Sequence, residues 1–95
     1  MQKELKMFKV LSNDTRLRIL GLLSKKEFCV YQLEWVLKEI QAKISRHLTV
    51  LKNAGIVIDR DKGVWNFYSI TKPKNNLERA IPQFLNSPFY KLKSF

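Results

Sequence analysis

This sequence has little of what several common protein classes require. It contains one cysteine, Cys29, and one histidine, His47, so an internal disulfide cannot form and a thiolate zinc cluster has too few ligands. No apolar run approaches the roughly 18 residues of a membrane-spanning helix, and no signal-type hydrophobic segment is present near the N-terminus. We therefore expect a soluble, cytoplasmic protein with no membrane partner.

Acidic residues are also scarce. Eight Asp and Glu stand against eighteen Lys and Arg, which gives a net charge of +10 that both halves of the chain share. With 95 residues and 45% hydrophobic side chains, the chain should fold as one domain over residues 1–95. A positive field of this strength usually faces phosphate, in DNA, in RNA or at an anionic membrane surface. Charge alone does not choose among the three.

Hydrophobic spacing predicts three helices in the first forty residues. An amphipathic pattern with a three-residue repeat predicts a first helix over about residues 1–12. Asp14 and Thr15 are N-cap candidates for a second helix, and a third should begin at Val30 or Tyr31. All three are short, which suits a small helical domain.

A fourth helix, from Gln41 to Asn53, is the most informative element. Ile44, Leu48 and Leu51 fall at positions i, i+4 and i+7, so they share one buried face, and Gly55 follows as a terminator. The side chains that point away are polar, basic or small: Gln41, Ala42, Lys43, Ser45, Arg46 and Thr49. Such a face can enter the major groove of DNA and donate to base edges.

Two β-prone runs follow this helix. Residues 56–60 and 64–70 flank a charged turn at residues 61–63 that contains glycine, and this pattern predicts a β-hairpin. Three helices followed by a basic-tipped hairpin is the order of a winged helix-turn-helix. The predicted fold class is therefore mainly α with a β-hairpin wing.

Four segments carry a resemblance to a known family. They are LSNDTRLRILGLL at residues 11–23, EFCVYQL at 27–33, ISRHLTVLKNAGIV at 44–57 and DRDKGVWNFYSI at 59–70. Together they resemble the ArsR/SmtB group of bacterial and archaeal transcriptional repressors over about residues 5–70. The resemblance implies a homodimer, built from the first and last helices, that binds double-stranded DNA at a near-palindromic operator and represses transcription until a signal releases it.

The resemblance also implies DNA-contacting residues in three places. His47 lies beside the buried face of its helix, so a packing or hydrogen-bonding role is favoured for it over a DNA contact. Arg16, expected to reach solvent, and the amides at Thr15 would meet phosphate. Arg60 and Lys62 have the alternative of being ordinary solvated turn residues. The full set is Thr15, Arg16, Gln41, Ala42, Lys43, Ser45, Arg46, His47, Arg60, Asp61, Lys62 and Gly63.

The sequence departs from the family at its metal sites. Many members carry E-L-C-V-C-D-L at the start of the third helix, whereas here Tyr31 and Gln32 stand in place of the second cysteine and the acid. Residues 75–95 contain no His, Cys or Asp and only Glu78, so the C-terminal zinc ligands of other members are missing. We expect no metal and no cofactor. Cys29 should be a small buried residue near a helix start; the alternative is a thiol switch.

The C-terminal segment has its own pattern. Leu77, Ile81, Phe84 and Leu85 form a helical stripe, in which Pro82 should bend or split the helix. Ser87 and Pro88 resemble the start of another short turn. We expect the helices at about residues 1–12 and 75–95 to form the dimer interface, with folding back onto the chain's own core as the alternative.

Three functional hypotheses follow. The first is a sequence-specific DNA-binding repressor that acts as a dimer. The second is a low-specificity binder of nucleic acid, for RNA or chromosome architecture. The third, an enzyme, is rejected because one Cys, one His and no convergent carboxylates supply no catalytic constellation.

Overall fold

Five helices and a small antiparallel sheet make up the part of the chain that the structure describes. The structure is a computed structural model, and it describes residues 1–63 and 65–85. The order is α1 (Gln2–Leu11), α2 (Asp14–Leu23), β1 (Phe28–Cys29), α3 (Val30–Leu37), α4 (Gln41–Asn53), β2 (Val57–Lys62), β3 (Trp65–Ile70) and α5 (Asn76–Leu85). The mainly α fold with a β-hairpin, the winged helix-turn-helix, is confirmed.

The cap of α2 lies one residue earlier than the sequence pattern predicts. Asn13, in extended conformation, accepts a hydrogen bond from the backbone N–H of Arg16 through its side chain, at 3.0 Å. Asp14 and Thr15 are already helical. The prediction that one of them caps the helix is wrong, because the Asn13 amide oxygen reaches the same orphan N–H groups from outside the helix.

The core lies between α2, α3 and α4 and is closed by the hairpin and α5. Ile19, Leu33, Ile44 and Leu48 are fully buried. Around these four side chains pack Leu20, Leu23, Phe28, Leu37, Leu51, Ile56, Val57, Ile81 and Leu85. Helix α4 contributes Ile44, Leu48 and Leu51, none of which has exposed surface, so burial fixes which of its faces turns outward.

The sheet has a strand that the sequence analysis missed. β1 is only two residues long, and it pairs with β3, Phe28 opposite Tyr68 and Cys29 opposite Phe67. The strand order β1-β3-β2 therefore attaches the hairpin to the start of α3. Two residues carry no readable alternation, which is why the pattern predicts no element before the third helix at Val30 or Tyr31.

The hairpin turn is tighter than predicted. Asp61 pairs with Asn66 and Lys62 with Trp65, so both belong to strand β2 instead of to the turn. Gly63 takes the left-handed conformation, with φ +66°, that a short hairpin connection needs and that glycine adopts without strain. The basic residues of the tip, Arg60 and Lys62, therefore lie on strand β2, where each is paired with a residue of β3.

The turn between α3 and α4 uses a lysine where a glycine is common. Lys38 adopts the left-handed conformation, with φ 55°, and its N–H donates to the Glu34 carbonyl oxygen at 2.8 Å. This conformation ends α3 and turns the chain into α4. The angle between the two helices thus rests on a residue that packing must hold in place.

Helix α5 continues through its proline. Pro82 lies inside the helix and supplies no N–H to the Glu78 carbonyl, yet the helix runs on to Leu85, so of the two predicted outcomes, a bend or a split, the split does not occur. Ile81 and Leu85 are buried on either side, and this packing holds the helix together. Its N-terminus is capped by Asn75, whose side chain accepts from the Glu78 N–H at 2.8 Å. The predicted turn at Ser87 and Pro88 lies outside the described residues.

Truncating a side chain on the buried face of α4 should destabilise the protein. We expect Leu48→Ala to lower the free energy of unfolding by about 2–5 kcal/mol, because it leaves a cavity beneath the helix. Ile40→Ala is the matched control: this aliphatic side chain is 70% exposed, and its loss should cost within about 0.5 kcal/mol. Urea unfolding measures both; equal small effects would contradict the packing described.

Candidate nucleic-acid interface

The outer face of α4 is held outward by the row beneath it. Ile44, Leu48 and Leu51 have no exposed surface, so the helix cannot rotate without exposing them. The structure leaves Gln41, Ala42, Arg46 and Thr49 exposed, and Lys43 and Ser45 half-buried at the edges. These six residues form one contiguous polar surface, called here the outer face of α4.

Two polar groups of this surface already have partners within the protein. Lys43 forms an ion pair with Glu39, 3.1 Å from Nζ to Oε2, one turn earlier. The Thr49 hydroxyl donates to the Ser45 carbonyl at 3.0 Å, which occupies it within the helix. Arg46 is thus the exposed cation of the outer face of α4. Its guanidinium is suited to bidentate contact with guanine.

The two cations of the hairpin tip converge on one acid. The Arg60 guanidinium pairs with the Glu27 carboxylate, and the Lys62 ammonium lies 3.9 Å from the same oxygen. Lys62 also stands over the ring of Phe67, 5.6 Å from its centroid. Glu27 was not singled out from the sequence, since a lone acid 33 residues from Arg60 gives no signal. Asp61 and Gly63 are exposed beside these cations.

Arg16 does not project into solvent as expected. Its Nε donates to the Val10 carbonyl at 2.5 Å and its Nη2 to the Lys9 carbonyl at 3.3 Å, both in the last turn of α1. Its Nη1 lies 3.2 Å from Nδ1 of His47. The prediction of a solvent-reaching arginine is wrong, because the carbonyls at the end of α1 are better partners than water for a guanidinium. Thr15, next to it, is buried.

His47 lies on the inner side of α4. Burial lowers the pKa of its imidazole below the usual 6.5, and the nearby charges of Arg16, Arg46 and Lys43 lower it further. The ring is therefore neutral near neutral pH. Because arginine can only donate, Nδ1 is the acceptor in the contact with Arg16 and the ring proton resides on Nε2. His47 thereby connects α4 to α1 through one guanidinium.

A second polar tie joins α4 to the hairpin. The Asp59 carboxylate accepts from Lys52 in the last turn of α4, 2.9 Å to Oδ1, and from the Asn66 amide of β3, 2.9 Å to Oδ2. These two bonds hold the pKa of Asp59 below its ordinary value, the Asn66 bond first. This tie was not predicted from the sequence. Its only signal is a Lys and an Asp seven residues apart across a glycine.

Cys29 occupies the N-cap position of α3 and is buried. Its backbone N–H donates to Oε1 of Gln32 at 2.9 Å, so Gln32 serves as a cap on the helix. The prediction of a small buried cysteine near a helix start is confirmed. Over residues 1–63 and 65–85, no group of three or more His, Cys, Asp or Glu stands close enough to hold a metal ion. No described helix combines the length and apolar character needed to cross a bilayer.

The lowered pKa of His47 predicts a pH-dependent stability. The folded state resists protonation of the ring, whereas the unfolded chain takes up a proton near pH 6.5, so stability falls as the pH drops below 6.5 toward the folded-state pKa. His47→Gln removes this proton uptake and keeps an acceptor for Arg16. Urea unfolding from about pH 7.5 to about pH 5 should show a larger loss for the wild type than for the variant.

Parallel pH profiles for the two proteins, measured at one protein concentration, would contradict this assignment. Arg16 provides the complementary control. Arg16→Lys keeps the charge but loses the planar fork whose three nitrogens reach three separate acceptors, so it should weaken the tie to α1 at every pH.

Comparisons with known proteins agree with this geometry. Residues 13–59 match the sequence profile of the bacterial regulatory protein arsR family. The arsenic resistance transcriptional regulator ArsR1 of Pseudomonas putida is 40% identical over 82 residues, which are 85% of this chain and 59% of ArsR1. An HTH-type transcriptional regulator of Methanocaldococcus jannaschii is 46% identical over 70 residues, 73% of this chain and 79% of that protein.

Structural similarity extends further along the chain. The transcriptional repressor BigR of Xylella fastidiosa superposes with a TM-score of 0.78 at 28% identity, covering 99% of this chain and 89% of BigR. The chain spans less than two thirds of the length of ArsR1, and more than three quarters of the M. jannaschii relative. The coverage, identity and shared fold together show that the chain belongs to the ArsR family of bacterial regulatory proteins.

Proposed function

We propose that the protein is a sequence-specific transcriptional repressor that binds a near-palindromic DNA operator as a homodimer. The observation that carries this proposal is the outer face of α4, polar and basic, directly above side chains with no exposed surface. The relatives support it, since ArsR1 is a transcriptional regulator and BigR a transcriptional repressor. The family is one of regulators, in agreement with the expectation that the chain is not an enzyme.

Base recognition is assigned to the first two turns of α4. Gln41, Lys43 and Arg46 can donate to base edges in the major groove, and a bidentate arginine reads guanine. Ala42 and Ser45 are small, so the helix axis can come close to the bases, and the Ala42 methyl can contact thymine. Lys43 would leave Glu39 to do so, at modest cost because solvent reaches both groups of this pair.

Phosphate contact is assigned to the hairpin tip, formed by residues 60–63. Arg60 and Lys62 supply the charge, while Asp61 and Gly63 shape the approach of the strand to the DNA backbone. Glu27 neutralises part of this charge in the free protein. A DNA phosphate must therefore compete with Glu27, and the wing adds less to binding than two free cations would.

A smaller phosphate contact is assigned to the backbone amide of Thr15. Positioning roles are assigned to Arg16 and His47. The Arg16 contact with His47 places the N-terminus of α2 next to α4, where the Thr15 amide can meet a phosphate of the same groove. Arg16 and His47 act by fixing α4 relative to α1. This assignment keeps the phosphate site and moves Arg16 from direct contact to support.

Dimerisation is assigned to α1 and α5. Helix α1 buries none of its residues within the described chain, and Phe8 is 57% exposed. Phe8 also lines an apolar groove of about 260 Å³ between the two helices, with Leu11, Leu77, Ile81 and Phe84. Two copies joined there would bury these side chains and present two α4 helices. A palindromic site requires two such helices, because its half-sites lie about 34 Å apart from centre to centre.

The absence of the family's metal sites remains part of the proposal. Tyr31 and Gln32 offer no thiolate or carboxylate, and Gln32 is occupied in capping α3. The thiol-switch alternative needs Cys29 to react, yet reactive cysteines are partly exposed and this one is buried. Selection of bound duplexes from a random pool, with and without reductant and zinc, tests operator, symmetry and signal together. Failure to enrich any sequence favours the low-specificity alternative.

Arg46 should contribute to specificity. We expect Arg46→Ala to weaken binding to the selected operator by about 1–3 kcal/mol, or about 5- to 150-fold, because a bidentate base contact is lost. Binding to random duplex should change far less. Fluorescence anisotropy with both duplexes at one salt concentration measures the difference.

Arg60→Ala is the matched contrast to that variant, with the same charge change at a different place. It should lower affinity for all duplexes alike and reduce the slope of log affinity against log salt by about one. Equal losses on operator and random duplex for Arg46→Ala would refute its assignment to base recognition.

The α1–α5 interface can be tested by charge insertion. Phe8→Glu should convert a dimer into a monomer, because burying a carboxylate in an apolar interface is strongly unfavourable. Sedimentation equilibrium gives the mass, and Lys3→Glu on the exposed side of α1 is the control for added negative charge. A dimer that persists in Phe8→Glu would place the interface elsewhere.

A further inference from the structure

A concave aromatic surface lies apart from both the outer face of α4 and the α1–α5 groove. It is a cavity of about 530 Å³ between α3 and the hairpin, within the usual range of small-molecule sites. We call it the aromatic groove. Its walls are Phe28 and Cys29 of β1, Tyr31, Gln32, Trp35 and Val36 of α3, Trp65 and Phe67 of β3, and Lys26.

The aromatic side chains of this groove are unusually exposed to solvent. Trp35 is 84% exposed and Tyr31 is 57% exposed, both on α3, and Trp65 across the groove is 46% exposed. Contiguous exposed aromatics of this size mark interaction sites. The Tyr31 and Trp65 rings already meet edge to face, with centroids 5.7 Å apart, so the groove has a formed wall.

The polar groups of the groove select the charge of a ligand. Lys26 is the charged residue among those that line it, and its ammonium stands 5.3 Å from the Phe28 ring centroid. Among the described lining residues none is acidic, so a cationic guest would find repulsion and no counter-charge. Gln32 still has its amide N–H groups, since the bond to Cys29 uses only its oxygen.

We propose that the aromatic groove binds a planar aromatic small molecule that carries a carboxylate or similar acid. The rings of Trp35, Tyr31 and Trp65 supply stacking surface, and the Lys26 ammonium pairs with the acid. A flat ring system fits these walls better than a branched aliphatic chain, because offset and edge-to-face contacts with aromatic rings need planarity.

Binding there should affect the wing. Trp65 pairs with Lys62 at the end of the hairpin, so a ligand that stacks beside the Tyr31–Trp65 wall should shift the part of the hairpin that carries the tip cations. We assign the groove the role of an effector site whose occupancy weakens DNA binding. This second step rests on the proposed function; the binding step does not.

The binding step is tested without DNA. The chain has two tryptophans, Trp35 and Trp65, and both line the groove. Their two indole N–H resonances in a ¹⁵N-labelled sample therefore report on the site during titration with 2-naphthoate. We expect both to shift and saturate, with affinity about three- to fivefold above that of 2-naphthalenemethanol, as one exposed ion pair allows.

Variants separate the ring contact from the charge contact. Trp35→Ala should weaken 2-naphthoate about tenfold while leaving the unfolding midpoint unchanged, because the side chain is exposed. Lys26→Gln should abolish the preference for the acid over the alcohol, and Lys25→Gln, the neighbouring lysine that does not line the groove, should keep it. Absent shifts, equal affinity for acid, alcohol and 2-naphthylmethylammonium, or indifference to Trp35→Ala would each overturn the proposal.

The effector step is tested on the selected operator. Saturating 2-naphthoate should weaken wild-type DNA binding at least threefold, and Trp35→Ala should need about tenfold more ligand for the same effect. Ligand binding with unchanged DNA affinity would overturn the effector role. Failure of the ligand-free protein to prefer any duplex would instead overturn the proposed function and leave the groove's ligand assignment standing.

Discussion

The burial of one face of α4 is the constraint on which the rest of the structure depends. Ile44, Leu48 and Leu51 lose all contact with water, and together they contribute several kcal/mol that would be forfeited if the helix turned about its axis. This apolar contact decides the direction of every other side chain on α4. The polar outer face is thus a consequence of packing, and its chemistry is free to vary as long as the inner row is kept.

Apolar packing fixes the rotation of α4 about its axis but fixes its translation and tilt less well. Polar contacts with neighbouring elements fix these. Arg16 joins the end of α1 to His47, and Asp59 joins Lys52 to the hairpin. Each tie has modest net energy, since its groups were hydrated in the unfolded chain. Their value is geometric, because one directed contact at the middle of α4 and another in its last turn fix the helix against the two elements beside it.

The helices and the hairpin could be predicted because each follows from a periodicity within one segment. The bounds of α4 agree with the pattern to the residue, and the buried Cys29 at the start of α3 follows from its position. Strand β1 was missed because two residues carry no period. The contacts of Arg16 with His47 and of Glu27 with Arg60 were missed because these partners are distant in sequence, and the contacts of Arg16 with the Lys9 and Val10 carbonyls were missed because backbone acceptors leave no signal in the side-chain pattern. The helix is not split at Pro82, because the packing of Ile81 and Leu85, which local propensity does not include, holds both parts of it.

Residues 26 and 27 show how one short segment can serve two surfaces. Lys26 turns to the aromatic groove, where it lies over Phe28, while Glu27 turns to the hairpin tip and pairs with Arg60 and Lys62. Both side chains project from the chain just before β1, so any shift of this strand changes both surfaces together. The pairing of β1 with β3 provides a direct path between the groove and the tip that does not pass through Ile44, Leu48 or Leu51. A signal received at the groove can therefore reach the wing while the buried row under α4 stays intact.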